Sequence, residues 1–453
     1  MKIHAKHAFS GQTWLKNCRV TSVDGKIVKI EEGVTQDSAD YSVDVLLPSL
    51  ANLHSHSFQR AMAGMTEFRK AGKESFWTWR ELMYRFLDHL TPEHFEAIAA
   101  MVFMEMQEAG YASVGEFHYV HHQPGGSPYA KLSELSDRVF AAARQTGIGL
   151  THLPVLYTYG GVNQEPLMGG QLRFSNDVDR FLSLMEACKT NLPYLPDDAQ
   201  VGIAPHSLRG TSPDDLAQVL QAAPQGPVHI HISEQLKEVA DVEAKLGQRP
   251  VAWLLDNVDV DSRWCLIHAT HMTEAETIAM AKSGAIAGLC PITEANLGDG
   301  PFNGPTYLKH NGAFGLGSDS NVRISLTEEL RTLEYSQRLR DMGRNVLVAG
   351  EGSTGQTLYA GAALGGAQAL GRDAGTIEVG KFADLVAIDR NHPALCALKD
   401  AQLLDGLCFV APDDVVTDTW SAGRHVVQGG RHKDHDAIVT RYKSAISELL
   451  EAA

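Results

Sequence analysis

Eight apolar runs of strand length recur along this chain, each followed by a helix-like stretch or a long excursion. That alternation limits the possible folds more than any other feature. The runs fall at 45–56, 112–119, 147–156, 200–206, 228–233, 264–269, 285–290 and 313–319. Strands buried on both faces of a parallel sheet read as near-continuous apolar runs of this kind. Between them, Thr91-Pro92-Glu93 and Ser212-Pro213-Asp214-Asp215 are helix-start signals, predicting helices over 91–109 and 212–223. Eight strands alternating with helices predict the α/β class and a (β/α)8 TIM-type barrel.

The two ends of the chain read differently. Residues 1–44 are strand-like, with a hairpin turn at Val23-Asp24-Gly25-Lys26. Further short β runs lie at 383–388, 415–420 and 424–427, and 434–450 has the pattern of a closing helix. The expectation is a barrel over 47–376 and a small β-sandwich domain built from 1–46 and 377–453, which includes that helix.

Six of the eight runs place a His, Asp or Glu at or just past the strand's carboxyl end, where such barrels hold their active sites. Side chains alternate faces along a strand, so His54 and His56 project together and Ser55 turns away. With His231 and Asp319 they form a nitrogen-rich set suited to zinc. Asp319 can serve as ligand or proton acceptor, its bland alternative being a turn or helix-cap carboxylate. Glu234, three residues beyond His231, is free to move protons. His229 shares a face with His231 but lies two residues deeper, which suits packing behind the metal. His268 ends Cys265-Leu266-Ile267-His268 and, read alone, is either a site residue or a satisfied core histidine. No lysine occurs in 200–206 to bridge two metals, so one divalent ion per chain is expected.

With 39 basic and 55 acidic side chains, the formal net charge is −16, which disfavours nucleic acid or an anionic membrane as partner. An anionic substrate must then be gripped by local arginines. Arg80 and Arg209 lie near strand exits, and arginine suits bidentate carboxylate recognition. A surface ion pair is the other reading for each, and spacing leaves both open. Gln59, Tyr119 and His206 either complete a polar pocket or make structural hydrogen bonds. No run of 18 or more uncharged apolar residues suggests a membrane span, and the N-terminus lacks the apolar core of a secretory signal. Six cysteines without C-x-x-C spacing read as reduced thiols of a cytoplasmic protein. A homodimer is the expected assembly.

With these residues laid out, the chain resembles the amidohydrolase superfamily over nearly its whole length. His-x-x-Glu with one metal is similar to its deaminase branch. Asn52-Leu53-His54-Ser55-His56-Ser57-Phe58-Gln59-Arg60-Ala61-Met62-Ala63-Gly64 and the segments 75–85, 116–122 and 293–298 resemble the deiminases within it that act on N-formimino-L-glutamate. The resemblance implies a zinc ion on His54, His56, His231 and Asp319, with Glu234, His268 and Asp319 catalytic. It also implies substrate contacts at Gln59, Arg80, Tyr119, His206 and Arg209. The implied reaction releases ammonia from a small dicarboxylate carrying a formimino group. Two rivals differ in kind: a deaminase of purines, pyrimidines or related amidines, and a metal-free barrel scaffold with no activity. The latter should have lost ligands, and none is missing here.

Overall fold

Every position of the Leu50–Ser55 strand is buried, and around it the parallel strands wrap into a ring. The computed structural model describes residues 1–67, 76–348 and 350–452. In this ring Leu50–Ser55 pairs with Tyr111–His118, then Gly149–Leu156, then the short pieces Gln200–Val201 and Ala204–Pro205. On its other side it pairs with Ala313–Leu316, followed by Ile286–Leu289, Trp264–His268 and Val228–Ile232. A bridge between Ile203 and Val228 closes the circle, supported by His229 N–H to Ile203 O and His231 N–H to His206 O, both 3.0 Å. The expected TIM-type barrel is therefore present.

Two of the runs differ in detail from the sequence reading. The run 45–56 is two strands, because the chain changes sheets at Ser49. Tyr41–Pro48 belongs to the outer sheet and Leu50–Ser55 to the barrel. The Ser49 N–H donates to Asp384 O at 3.0 Å, and its hydroxyl donates to Gly110 O at 2.7 Å. A continuous apolar run cannot reveal this switch, since both sheets bury it. The run 200–206 is likewise split, at Gly202, where a Cβ would come within 2.7 Å of Pro227 O.

The two chain ends join in one continuous eight-stranded sheet, separate from that of the barrel. Lys2–Phe9, Trp14–Val23, Lys26–Glu31 and Tyr41–Pro48 meet Leu385–Ile388, Val416–Ser421, Arg424–Gln428 and Arg431–His432. Asp24 (φ 48°) and Gly25 (φ 79°) form the hairpin turn in the left-handed region that this tight reversal requires. Ile3, Val20, Leu46, Leu385 and Trp420 pack as its core. The closing helix, His435–Ala452, lies against Pro92–Glu108, with Arg441 reaching Glu96 at 2.9 Å.

Ser212 and Thr91 cap their helices as the start signals imply, accepting from Asp215 N and His94 N at 3.2 Å each. The barrel floor is apolar, with Leu53, Ile267, Ile286 and Leu370 in one cluster. There the imidazole of His229 pairs with Ala369 O at 2.8 Å, away from the barrel mouth. With its floor filled, the barrel can hold a ligand only at the carboxyl ends of its strands.

Candidate active site

His54 lies in the first barrel strand and His56 one residue past its end, with both rings directed inward. Ser55 points the other way, its hydroxyl accepting from Asn321 Nδ2 at 3.1 Å. The eighth strand approaches closely because of Gly317, where a Cβ would lie 2.8 Å from His54 O. Backbone hydrogen bonds then fix Asp319: its N–H donates to His54 O and its carbonyl accepts from His56 N, both at 2.9 Å. Asn52 ties the same two strands through Ser318, donating to its hydroxyl at 2.7 Å and accepting from its N–H at 3.1 Å.

The ligating atoms of His54, His56, His231 and Asp319 all lie within 4.8 Å of one another. Nε2 of His54 and of His231 are 3.0 Å apart, and Asp319 Oδ1 is 3.4 Å from His54 Nε2 and 3.3 Å from His56 Nε2. Burial holds all three imidazoles below their usual range, His54 at about 3. Nδ1 of His56 faces Phe117 O at 2.9 Å, and Nδ1 of His231 faces His206 O at 3.2 Å. A carbonyl can only accept, so both protons sit on Nδ1 and both Nε2 atoms present lone pairs. Lone pairs converging with a carboxylate in a buried space repel one another unless a cation lies among them. The donor set therefore fits a divalent metal, and outer partners that fix the imidazole tautomer are usual at such centres.

Glu234 and His268 stand beside this set. His268 Nε2 is 3.9 Å from both Glu234 Oε1 and Asp319 Oδ2. Burial pushes the Glu234 carboxyl up to about 7. Burial opposes charge on His268, but Glu234, Glu294 and Asp319 outweigh it and lift the imidazole to about 10. Ser233 (φ 52°), His268 (68°), Ala269 (48°) and Asp319 (46°) all occupy the left-handed region without being glycine. Each such residue costs roughly 1–3 kcal/mol, and strain of this kind gathers at functional sites.

His56, His231, Glu234, His268 and Asp319 open onto one cavity. Gln59, Arg80, Tyr119, His206 and Arg209 all line it. Gln59 Nε2 donates to the Tyr119 hydroxyl at 2.5 Å, and Arg80 Nη2 donates to the Tyr157 hydroxyl at 3.0 Å. The Arg80 guanidinium also stands 5.4 Å over the Tyr84 ring. Of the 75–85 segment, Ser75 and the side chains of Phe76, Trp77, Thr78 and Glu81 lie outside the described residues.

Sequence reasoning missed Tyr157, although it follows the third barrel strand directly, where the other site residues stand on theirs. Its ring lies 4.3 Å from that of His206. Also missed were two buried carboxylates behind the site. Glu238 accepts from Ser233 N at 3.0 Å and Glu234 N at 2.9 Å, and Glu116 accepts from Ser57 N at 2.8 Å. No spacing rule links either to its partner, although a carboxylate four residues past Glu234, early in a helix, was a usable hint.

A ring of strands with histidines and carboxylates at its mouth defines a metal-dependent hydrolase of barrel type. The amidohydrolase family profile matches residues 45–426, and this chain belongs to that family. It is 46% identical to a formimidoylglutamate deiminase of Pseudomonas aeruginosa over 452 residues, 99% of each chain. An amidohydrolase from Brucella melitensis superimposes with a TM-score of 0.95 at 49% identity, covering 99% of both chains. An adenosine deaminase from Xanthomonas campestris, solved with bound zinc, shares the fold at a TM-score of 0.83 and 24% identity, over 99% of this chain and 98% of its own.

Proposed function

We propose that this chain hydrolyses N-formimino-L-glutamate to N-formyl-L-glutamate and ammonia, a step of histidine breakdown. One observation carries the reading: Arg80 and Arg209 share a single cavity with Glu234 and with His56, His231 and Asp319 of the four-ligand set. A deaminase of purines or pyrimidines needs base-edge hydrogen bonders and apolar walls there, whereas a dicarboxylate needs two guanidinium groups. The likeness to the Pseudomonas enzyme supports the same choice.

In this reading His54, His56, His231 and Asp319 hold one zinc ion, as three imidazoles and a carboxylate suit it. Zinc in such a set supplies activation of water as a nucleophile near neutral pH. Glu234 takes the proton released by the attacking water and delivers it to the imino nitrogen, so that ammonia leaves. A carboxyl whose range lies near 7 suits both halves of that transfer. His268 Nε2 faces the developing tetrahedral centre and stabilises the charge on its oxygen. Asp319 Oδ2, 3.9 Å from His268, accepts the second proton, that of the adduct hydroxyl, as the carbonyl forms. This proton passes to the departing nitrogen, which leaves as neutral ammonia. Arg80 and Arg209 grip the two carboxylates, while Gln59, Tyr119 and His206 orient the formimino end. Among the described residues no helix is long and apolar enough to cross a membrane. All six cysteines are free thiols, five of them buried, which supports a reducing, cytoplasmic setting. The assembly in this reading is a homodimer, measurable by light scattering.

The deciding test is ammonia release from N-formimino-L-glutamate against a panel of purines, pyrimidines and methylthioadenosine. The reading expects turnover of the first substrate alone. Turnover confined to a nucleobase or nucleoside would replace it.

A further inference from the structure

Behind His268, on the side away from the cavity, lies a carboxylate that the proposed chemistry does not use. Glu294 sits on the short helix Pro291–Leu297 that follows the seventh barrel strand. Its Oε1 is 3.3 Å from His268 Nδ1 and also accepts from Cys290 N at 2.9 Å. Both side chains are buried, at 1% exposure for His268 and 7% for Glu294. The helix is anchored in turn, since Ile292 N donates to Glu329 at 2.9 Å and Thr293 Oγ1 donates to Ser318 O at 3.2 Å. The acceptor's helix is thus tied to the segment that follows the eighth strand.

We propose that Glu294 is the positioning residue for His268: by accepting the Nδ1 proton it fixes the ring so that Nε2 is directed between Glu234 and Asp319. The argument is geometric. His268 leaves its strand in the left-handed region at φ 68°, followed by Ala269 at 48°, so its backbone runs in an unusual direction. Nε2 lies 3.9 Å from each of its two forward carboxylates, beyond hydrogen-bond reach. Neither forward group therefore determines the ring's orientation. The rear contact does, as carboxylates behind imidazoles do in catalytic triads and metal centres. His268, Cys290 and Glu294 also bring their ligating atoms within 4.8 Å of one another. A second metal there is disfavoured, because burial drives the Cys290 thiol well above its usual range and it stays protonated.

The proposal rests on the catalytic role of His268 given above. Glu294→Gln preserves the shape and removes the charge. It should lower kcat for formiminoglutamate about 10- to 100-fold, the range typical of lost outer partners. KM should stay within about twofold and the metal content should be unchanged. In a His268→Asn background the same change should cost less than about twofold more, because coupled residues are not additive. Independent, multiplicative losses in that double variant would overturn the proposal. So would two metal equivalents in the wild-type enzyme falling to one in Glu294→Gln. A readout independent of turnover uses the wild-type holoenzyme labelled with ¹⁵N-histidine. A downfield Nδ1–H resonance should be lost in His268→Asn and shifted in Glu294→Gln. Its absence from the wild type would overturn the proposal even if the substrate were a different amidine. If the resonance behaves as stated while formiminoglutamate is not turned over, only the substrate reading fails.

Discussion

Asp319 and His56 are joined twice, by a backbone hydrogen bond of 2.9 Å and by the approach of Asp319 Oδ1 to His56 Nε2 at 3.3 Å. The first contact is made by backbone atoms alone and does not use the side chain at 319. The second brings two acceptors together and is favourable only with a cation between them. Asp319→Asn should therefore fold normally yet bind metal at least ~10–100-fold more weakly, since loss of even an outer partner typically costs that much. Elemental analysis after dialysis measures this, with about one equivalent expected in the wild type. Full retention of metal by Asp319→Asn, or two equivalents in the wild type, would overturn the mononuclear site.

Glu234 and the carboxylate behind it can be separated by two variants. Glu234→Gln keeps the shape but cannot carry a proton, so kcat should fall roughly 10²–10⁴-fold with metal retained. Glu238→Ala acts on the turn instead, leaving two buried N–H groups without the acceptor they now share. Orphaned buried donors cost about 1–3 kcal/mol each, so this variant should lose both Tm and kcat. An unchanged melting curve for Glu238→Ala would sink the idea that it holds the Ser233–Glu234 turn.

For substrate recognition, Arg80→Met and Arg209→Met should each lower kcat/KM for formiminoglutamate by roughly 10- to 100-fold. The basis is the ~1.5–3 kcal/mol of a charge-assisted hydrogen bond. Neither change should alter the metal content. Formiminoglycine, which lacks one carboxylate, should be a correspondingly poor substrate of the wild type. Equal turnover of the two compounds would remove the dicarboxylate reading and leave a general amidine deaminase.

Glu329 yields a stability prediction that varies with pH. It is fully buried, and burial drives its carboxyl well above the usual range. Oε2 accepts from Ile292 N, while Oε1 has no hydrogen-bond partner among the described residues. The folded state thus binds a proton that the unfolded chain releases near pH 4.5. Between that pH and the raised folded value, stability falls as pH rises. Glu329→Gln abolishes that dependence, so its Tm advantage over the wild type should widen from pH 5 to pH 8. A constant difference across that interval would show that Glu329 is not the group responsible.

Much of this molecule was legible in its sequence, for identifiable reasons. Strand burial imposes apolar runs, helix starts require caps such as Thr91 and Ser212, and period-two alternation places His54 and His56 on one face. The Asp24-Gly25 turn was readable for the same reason, since only certain residues accept a left-handed backbone. The grouping of His54, His56, His231 and Asp319 as candidate ligands was readable because metal chemistry restricts residue type at strand exits.

Other features belong to the tertiary structure alone. Nothing in the run 45–56 marks the change of sheet at Ser49, because both sheets demand the same apolar character. Glu116, Glu294 and Tyr157 acquire their places only when the ring closes and brings distant strand exits together. Arg80 is the clearest case: in sequence a surface ion pair was as good a reading as a ligand grip, and the fold set it against Tyr157 inside the cavity. Local sequence dictates the elements and the kinds of side chain at their ends. Which of those side chains meet is decided by closure of the barrel, a long-range event that no local spacing encodes.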